Sequence, residues 1–163
     1  MNMEKKRIPL KTNIGYLLNK PSGYARDAEI KLEEVFIDPD LNVWDLDVHY
    51  RFSRVQEGIL FQAQLSGRIP AQCVRCLSDS TVTVTTPVEE IYFFPEKVKE
   101  VTDLVIPDDG YIDLGELFRD YLLLGMPINF VCKSDCKGVC TICGQNLNLQ
   151  DCGHTDNKIL LEE

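Results

Sequence analysis

The sequence predicts an α+β fold: an antiparallel β-meander or partly open barrel, packed by one main helix and followed by a cysteine-rich segment. Apolar and polar residues alternate along 44–53 and again along 59–69, which is typical of strands with one wet face. Apolar residues between 113 and 125 recur at helical spacing, which predicts an amphipathic helix. Five of the seven cysteines lie within 132–152 among polar residues, so they do not form an apolar core pattern.

Turn residues divide the predicted strands. The sequence Gln56-Glu57-Gly58 separates the two alternating segments, which predicts an antiparallel hairpin. Trp44 begins the apolar set of the first strand and shares its face with Leu46 and the later apolar residues. Further elements are expected as an edge strand near 7–10, a short helical turn at 13–18, a strand at 29–37, a strand around 81–85 and an acidic connection at 96–110.

The main helix carries its own start and stop signals. Asp113 is expected to cap it, and Glu116 to complete a capping box three residues later. Gly125 and Pro127 are expected to end it. The predicted domain organisation is a basic N-terminal segment at 1–28, a β-rich body at 29–127 with the helix at 113–125, a zinc-binding segment at 128–156 and a flexible tail at 157–163.

Composition limits the class of protein. A chain of 163 residues with 44% hydrophobic residues is long enough for one ordinary domain with a small appendage. No signal peptide is visible, and the longest apolar runs are far too short to span a membrane. An odd number of clustered cysteines is unlike a secreted disulfide framework. We therefore expect a protein of the reducing cytoplasm without membrane contact.

Charge is distributed unevenly along the chain. The net charge is −9, but residues 1–31 carry seven Lys or Arg against three Asp or Glu, a local charge of +4. A globally acidic protein repels phosphate at long range, so contacts with nucleic acid have to be local. Lys5, Lys6 and Arg7 are the candidate partner-binding residues of this basic segment.

The cysteine-rich segment predicts a zinc site. Two thiolates with two residues between them, Cys140 and Cys143, can bind one ion from a single turn, and Gly144 is the residue at which the chain leaves that turn. A closed tetrahedral shell needs two more ligands, and thiolate-rich shells select zinc over harder ions. We expect about one zinc per chain. The candidates for the remaining ligands are Cys132 and Cys136 upstream, and Cys152 and His154 downstream.

A second pair, Cys73 and Cys76, lies in a strand-to-strand turn and has three interpretations. The pair can join Cys140 and Cys143 in a split site, with the other four candidate ligands forming a second set. It can be a redox dithiol, although such motifs normally begin a helix, where the thiol pKa falls. It can also be a recognition turn that displays Arg75 to a phosphate or a carboxylate.

These motifs together resemble the large ribosomal RNA subunit accumulation protein family, the YceD-like proteins. The features that carry the resemblance are the Cys-Val-Arg-Cys-Leu turn after a hairpin, the Leu-Gly-Met-Pro-Ile helix end, and the run from Cys136 to Asn148 with a closing cysteine. The resemblance implies a bacterial cytoplasmic factor for accumulation of large-subunit ribosomal RNA through ribosome assembly. Where a Cys-x-Cys ending is expected, this chain has His154.

The residues favour a binding or assembly factor over an enzyme. The sequence has two histidines, no Gly-rich phosphate loop, and no Ser or Cys nucleophile with an identifiable base. The expected partner is a large-subunit ribosomal RNA precursor or a basic ribosomal protein. The alternatives are a zinc-braced protein-interaction module that never contacts RNA, and a dithiol redox or zinc enzyme. Residues alone do not choose between RNA and protein, and oligomeric state is undetermined.

Overall fold

A computed structural model describes residues 10–154, and it confirms the α+β class with open sheets rather than a closed barrel. The contacts divide these residues into two compact units. The first unit contains residues 10–69 and 82–126, and the second contains 70–81 and 127–154. The elements in chain order are β1 (Lys11–Asn13), α1 (Gly15–Leu18), β2 (Ala25–Ile37), β3 (Leu41–Arg54), β4 (Gly58–Gln72), β5 (Asp79–Phe93), β6 (Leu104–Val105), β7 (Tyr111–Asp113) and α2 (Gly115–Leu124).

The main sheet is a meander of long strands. Its order is β2-β3-β4-β5-β6, and β6 runs parallel to β5. The predicted hairpin is therefore confirmed as β3 and β4, and the predicted strands at 29–37 and 81–85 are parts of the longer β2 and β5. The acidic connection at 96–110 holds β6, which the sequence did not reveal because a two-residue strand has no periodicity.

A bulge in β3 changes one predicted side-chain direction. Trp44 pairs with Arg68, whereas the next aligned pair is Asp47 with Ser66, so β3 has one extra residue between them. Asp45 takes a left-handed conformation there, with φ of 53°. Arg68 and Ser66 lie on the outer face of β4, while Leu46 is buried. The prediction that Trp44 shares the inner face with Leu46 is therefore wrong.

The main helix is shorter than the predicted 113–125. Asp113 is the last residue of β7, where it pairs with Lys11 of β1. Its carboxylate accepts a hydrogen bond from the backbone N–H of Gly115 at 2.9 Å, and Leu114 occupies the N-cap without a side-chain cap. The predicted capping box is therefore not formed, because the strand pairing of β7 continues to Asp113.

The core of the first unit lies between the sheet and the two helices. Helix α1 contributes Leu17, and α2 contributes Phe118, whose ring centroid lies 6.3 Å from that of Phe61 on β4. All three side chains are fully buried. Each large apolar side chain removed from water contributes about 1.5–3 kcal/mol. Among the helices that the structure describes, none has the length and apolar character needed to cross a membrane.

Candidate metal centres

Eight side chains in the second unit form two groups of four, each compact enough to hold one metal ion. Within each group, the ligand atoms all lie within 4.8 Å of one another. All seven cysteines of the chain belong to one group or the other. The first cluster contains Cys73, Cys76, Cys132 and Cys136, and the second cluster contains Cys140, Cys143, Cys152 and His154.

Each cluster starts from a Cys-x-x-Cys turn with the same backbone hydrogen bonds. In the first turn, the N–H of Cys73 donates to Ser78 O at 3.0 Å, and the N–H of Leu77 donates to Cys73 O at 2.9 Å. In the second turn, the N–H of Cys140 donates to Gln145 O at 2.8 Å, and the N–H of Gly144 donates to Cys140 O at 2.9 Å. The backbone therefore turns in the same way at both cysteine pairs.

The sulfur separations match a tetrahedral shell. Four sulfurs that are each ~2.3 Å from a central ion lie about 3.8 Å apart. The Sγ atoms of Cys73 and Cys136 are separated by 3.8 Å, and those of Cys76 and Cys132 by 3.6 Å. A disulfide needs about 2.05 Å, and all seven cysteines are free. The separations thus fit metal ligands rather than disulfide partners.

The second cluster has similar dimensions, with an imidazole as its fourth group. The Nδ1 atom of His154 lies 3.8 Å from Cys140 Sγ and 3.4 Å from Cys152 Sγ. Nitrogen binds zinc at about 2.0–2.1 Å, closer than sulfur does, so tetrahedral Sγ–Nδ1 separations of about 3.6 Å are expected, and the two distances lie on either side of that value. His154 therefore takes the place in which the resemblance led us to expect a cysteine.

Backbone N–H groups surround some sulfurs and change their acidity. The backbone N–H of Cys132, followed by those of the first turn, lowers the pKa of Cys73 to about 6. The N–H groups of Cys143 and Ile142 lower the pKa of Cys140 to about 6. Burial, together with neighbouring thiols, raises the pKa of Cys132 to about 12. The hydrogen bond to Ser78 also lowers the pKa of Cys76, so the thiols of the first cluster differ in acidity, and a cation between them would favour the thiolate form of all four.

An amide and hydroxyl network surrounds the first cluster. The Asn148 side-chain amide donates to Cys136 Sγ at 3.4 Å and to Asn146 Oδ1 at 2.9 Å. The amide of Asn146 donates in turn to Ser78 Oγ at 2.9 Å, and this oxygen lies 3.4 Å from Cys76 Sγ. Sequence reasoning missed Ser78, Asn146 and Asn148. For Asn146 and Asn148 the signal was the polar run that follows Gly144, whereas Ser78 lies two residues after Cys76.

The two clusters differ in exposure. In the first cluster, Cys73, Cys76 and Cys136 are buried and Cys132 is half-buried. In the second cluster Cys140 alone is buried, whereas Cys143 and His154 are exposed. Solvent and competing ligands therefore reach the second cluster more easily.

The structure joins the cysteine pairs differently from the split site that the sequence allows. Cys73 and Cys76 meet Cys132 and Cys136, and they do not meet Cys140 and Cys143. Arg75 is exposed in the first turn, and its carbonyl accepts the N–H of Val139 at 3.1 Å. The other partner-binding candidates, Lys5, Lys6 and Arg7, lie outside the described residues.

The two cysteine turns and the segments that complete them all fall within one region of family similarity. Residues 61–160, more than half of the chain, match the model of the large ribosomal RNA subunit accumulation protein YceD. The chain belongs to the YceD family. This confirms the resemblance drawn from the cysteine turns. The family is named for the accumulation of ribosomal RNA, not for an enzymatic activity.

Individual relatives of this YceD-family chain come from mycobacteria and a plant. An uncharacterized protein of Mycobacterium tuberculosis is 30% identical over 136 residues, which are 81% of this chain and 64% of the relative. The chloroplastic large ribosomal RNA subunit accumulation protein YCED homolog 1 of Arabidopsis thaliana is 37% identical over 70 residues, 42% of this chain and 18% of the relative. The chain thus spans less than two thirds of the length of these relatives. No solved structure matches it.

Proposed function

We propose that this YceD-family chain is a non-enzymatic ribosome-biogenesis factor that supports accumulation of large-subunit ribosomal RNA and carries two structural zinc ions. The family name supports the link to large-subunit ribosomal RNA. The two four-ligand clusters are the observation that carries the structural part of the proposal. A bacterial cytoplasm is the proposed location, because ribosome assembly occurs there and reduced thiols persist there.

The donor sets fit zinc. Each cluster offers four soft or borderline ligands at tetrahedral separations, which is the composition that selects zinc. Cys73, Cys76, Cys132 and Cys136 would hold one ion, and Cys140, Cys143, Cys152 and His154 the other. We therefore propose two ions per chain in place of the single ion expected from the sequence.

A full shell supports a structural role. Four protein ligands leave no position for a water or a substrate, which catalytic zinc sites keep open. Zinc bound in this way stabilises the folded state of a segment that has little apolar core of its own. The second unit has only a small apolar cluster around Cys73, Cys76 and Cys136, with Val131 and Cys132 packed against it. We infer that metal, more than an apolar core, holds this unit together.

The partner is proposed to be a large-subunit ribosomal RNA precursor or a ribosomal protein. Arg75 projects from a turn that zinc would make rigid, so its guanidinium is presented to a phosphate or a carboxylate. Lys5, Lys6 and Arg7 extend the proposed partner-binding set on the basis of their charge.

The test is the ratio of large-subunit to small-subunit ribosomal RNA in cells depleted of the protein. Depletion is expected to lower this ratio, and the wild-type chain to restore it. Cys76→Ser combined with Cys140→Ser, which removes one ligand from each cluster, is expected to restore it poorly. His49→Ala is the matched control, because His49 lies on the exposed sheet face beside Glu29 and Asp47 and belongs to neither cluster. A normal ratio in depleted cells at all growth temperatures would refute the proposal.

A further inference from the structure

One region of the first unit combines cations with exposed aromatic rings. Residues 10–26 contain Lys11, Lys20 and Arg26 but no Asp or Glu, in a protein whose net charge is −9. The guanidinium of Arg26 lies over the ring of Tyr16, 5.0 Å from its centroid. The ammonium of Lys20 lies over the ring of Tyr24 at 5.4 Å. This region therefore offers positive charge and π faces together.

Both tyrosine rings are presented to solvent by a well-held backbone. In α1, Leu17 and the preceding Ile14 are fully buried, and this orientation leaves Tyr16 37% exposed. Tyr24 is 38% exposed. Its carbonyl accepts the N–H of Arg54, and its own N–H donates to Pro21 O. Packing in the apolar core does not explain why tyrosines stand at these two positions, because more than a third of each residue remains exposed to water.

A small cavity lies beside the first of these pairs. It has a volume of about 200 Å³, below the ~300–1,000 Å³ of typical small-molecule sites. Its aromatic walls are suited to stacking, and its polar groups are suited to the edge of a planar ring. The lining residues are Thr12, Asn13, Tyr16, Arg26, Ala28, Tyr50 and Phe52.

We propose that Tyr16, Tyr24, Lys20 and Arg26 form a binding face for single-stranded RNA. Aromatic rings stack on bases without regard to sequence, and neighbouring cations contact the phosphates. The cavity beside Tyr16 and Arg26 would receive one unstacked base. Because the whole protein repels phosphate at long range, binding depends on these short-range contacts.

Single-stranded RNA fits this face better than a duplex does. Bases in a duplex are stacked on one another and show only their edges, so exposed tyrosine faces gain little from it. A protein partner is less well matched, because the paired cations and exposed rings, Arg26 with Tyr16 and Lys20 with Tyr24, suit phosphates and unstacked bases. The choice of ribosomal RNA as the natural ligand rests on the proposed function.

The experiment is fluorescence anisotropy with a labelled single-stranded RNA of about 12 nucleotides, within the usual range of site sizes. The full chain, loaded with zinc, is expected to bind this RNA more tightly than a duplex of the same sequence. Tyr16→Leu and Tyr24→Leu are each expected to weaken binding roughly fivefold or more. Tyr16→Phe keeps the π face and is expected to retain binding. Trp44→Leu is the control, since Trp44 lies on the outer face of β3 opposite Arg68 and does not line the cavity.

The contribution of the two cations to RNA binding is tested through the salt dependence of the affinity. Lys20→Gln and Arg26→Gln are each expected to reduce the slope of log affinity against log salt by about 0.7 for each phosphate that is no longer neutralised. Lys97→Gln, an exposed lysine distant in sequence, is expected to leave the slope unchanged. Circular dichroism and thermal melting establish that each variant is folded.

Three results would overturn the inference: equal affinity for duplex and single strand, full binding by both leucine variants, or binding of an acidic peptide in place of RNA. The assay is separate from the ribosomal RNA ratio in cells. A lowered ratio on depletion, with no RNA binding by the purified chain, would overturn this inference and leave the proposed function standing. A normal ratio together with tyrosine-dependent RNA binding would overturn the proposed function and leave this inference standing.

Discussion

Leu77 and Gly144 occupy the same position in two turns of matching geometry. Each follows the second cysteine of its Cys-x-x-Cys pair, and each N–H donates to the carbonyl of the first cysteine at 2.9 Å. Both have left-handed backbones, with φ of 57° for Leu77 and 74° for Gly144. Leucine has a Cβ that disfavours this conformation, whereas glycine adopts it freely. The first turn therefore holds a strained residue, with its side chain 57% exposed.

The matched pair predicts unequal effects on stability when the two residues are exchanged. Gly144→Leu places a Cβ in open space, so its cost is backbone strain alone, about 1–2 kcal/mol. Leu77→Gly removes similar strain but adds about 0.5–1 kcal/mol of unfolded-state entropy. We expect clear destabilisation for the first and a change near zero for the second. Urea unfolding followed by zinc release to a chromogenic chelator measures both. Equal destabilisation by the two variants would contradict the matched geometry.

The zinc content of the purified protein distinguishes one bound ion per chain from two. Protein prepared under reducing, zinc-replete conditions is expected to carry two zinc ions per chain. Cys143→Ser and Cys76→Ser are each expected to lower this to about one, because each removes a ligand from a different cluster. The first unit is expected to stay folded, since it has its own apolar core. Elemental analysis gives the stoichiometry, with His49→Ala as the control. Zinc-free protein would refute the metal assignment.

The two clusters are expected to lose metal in a fixed order. Cys143 and His154 are exposed, whereas three of the four first-cluster cysteines are buried. A chelator therefore reaches the second cluster first. Lowering the pH is also expected to release zinc from both clusters, because protons compete with zinc for thiolate and imidazole ligands. Mass spectrometry after stepwise alkylation identifies the released cysteines. Simultaneous modification of Cys76 and Cys143 would argue against independent sites.

Asn148 is expected to strengthen zinc binding at the first cluster, although it is not itself a ligand. Its amide donates to Cys136 Sγ, and its side-chain oxygen accepts the N–H of Lys137 at 2.9 Å. Replacing a residue that supports a metal ligand in this way typically costs ten- to a hundredfold in metal affinity. Asn148→Leu is thus expected to weaken zinc binding at the first cluster by roughly tenfold or more. Competition with a chelator of known affinity measures this change.

The control for that variant is Asn129→Leu, because Asn129 is exposed in the same unit. It is expected to leave both zinc affinities unchanged. Retention of full affinity by Asn148→Leu would mean that the amide contact is incidental to the site.

The alternation of apolar and polar residues was sufficient to predict the strands in which that alternation is regular. The run from Leu46 to Phe52 predicted an antiparallel strand, because side-chain direction in a strand has a period of two and burial follows it. Trp44 broke that rule because the bulge at Asp45 inserts one residue, and bulges depend on pairing with β4. The helix start moved from Asp113 for a similar reason, since strand pairing with Lys11 competes with capping.

The sequence by itself predicted the kind of candidate site, because cysteines at this spacing with polar residues between them are typical of soft-metal ligands. It also identified the family, through motifs that span both turns. Only the tertiary structure decided which side chains come together in each candidate site. Cys76 and Cys132 are 56 residues apart in the chain, yet their sulfurs lie 3.6 Å apart. Spacing constrains ligands within one turn, but the partners of that turn depend on how distant segments fold together.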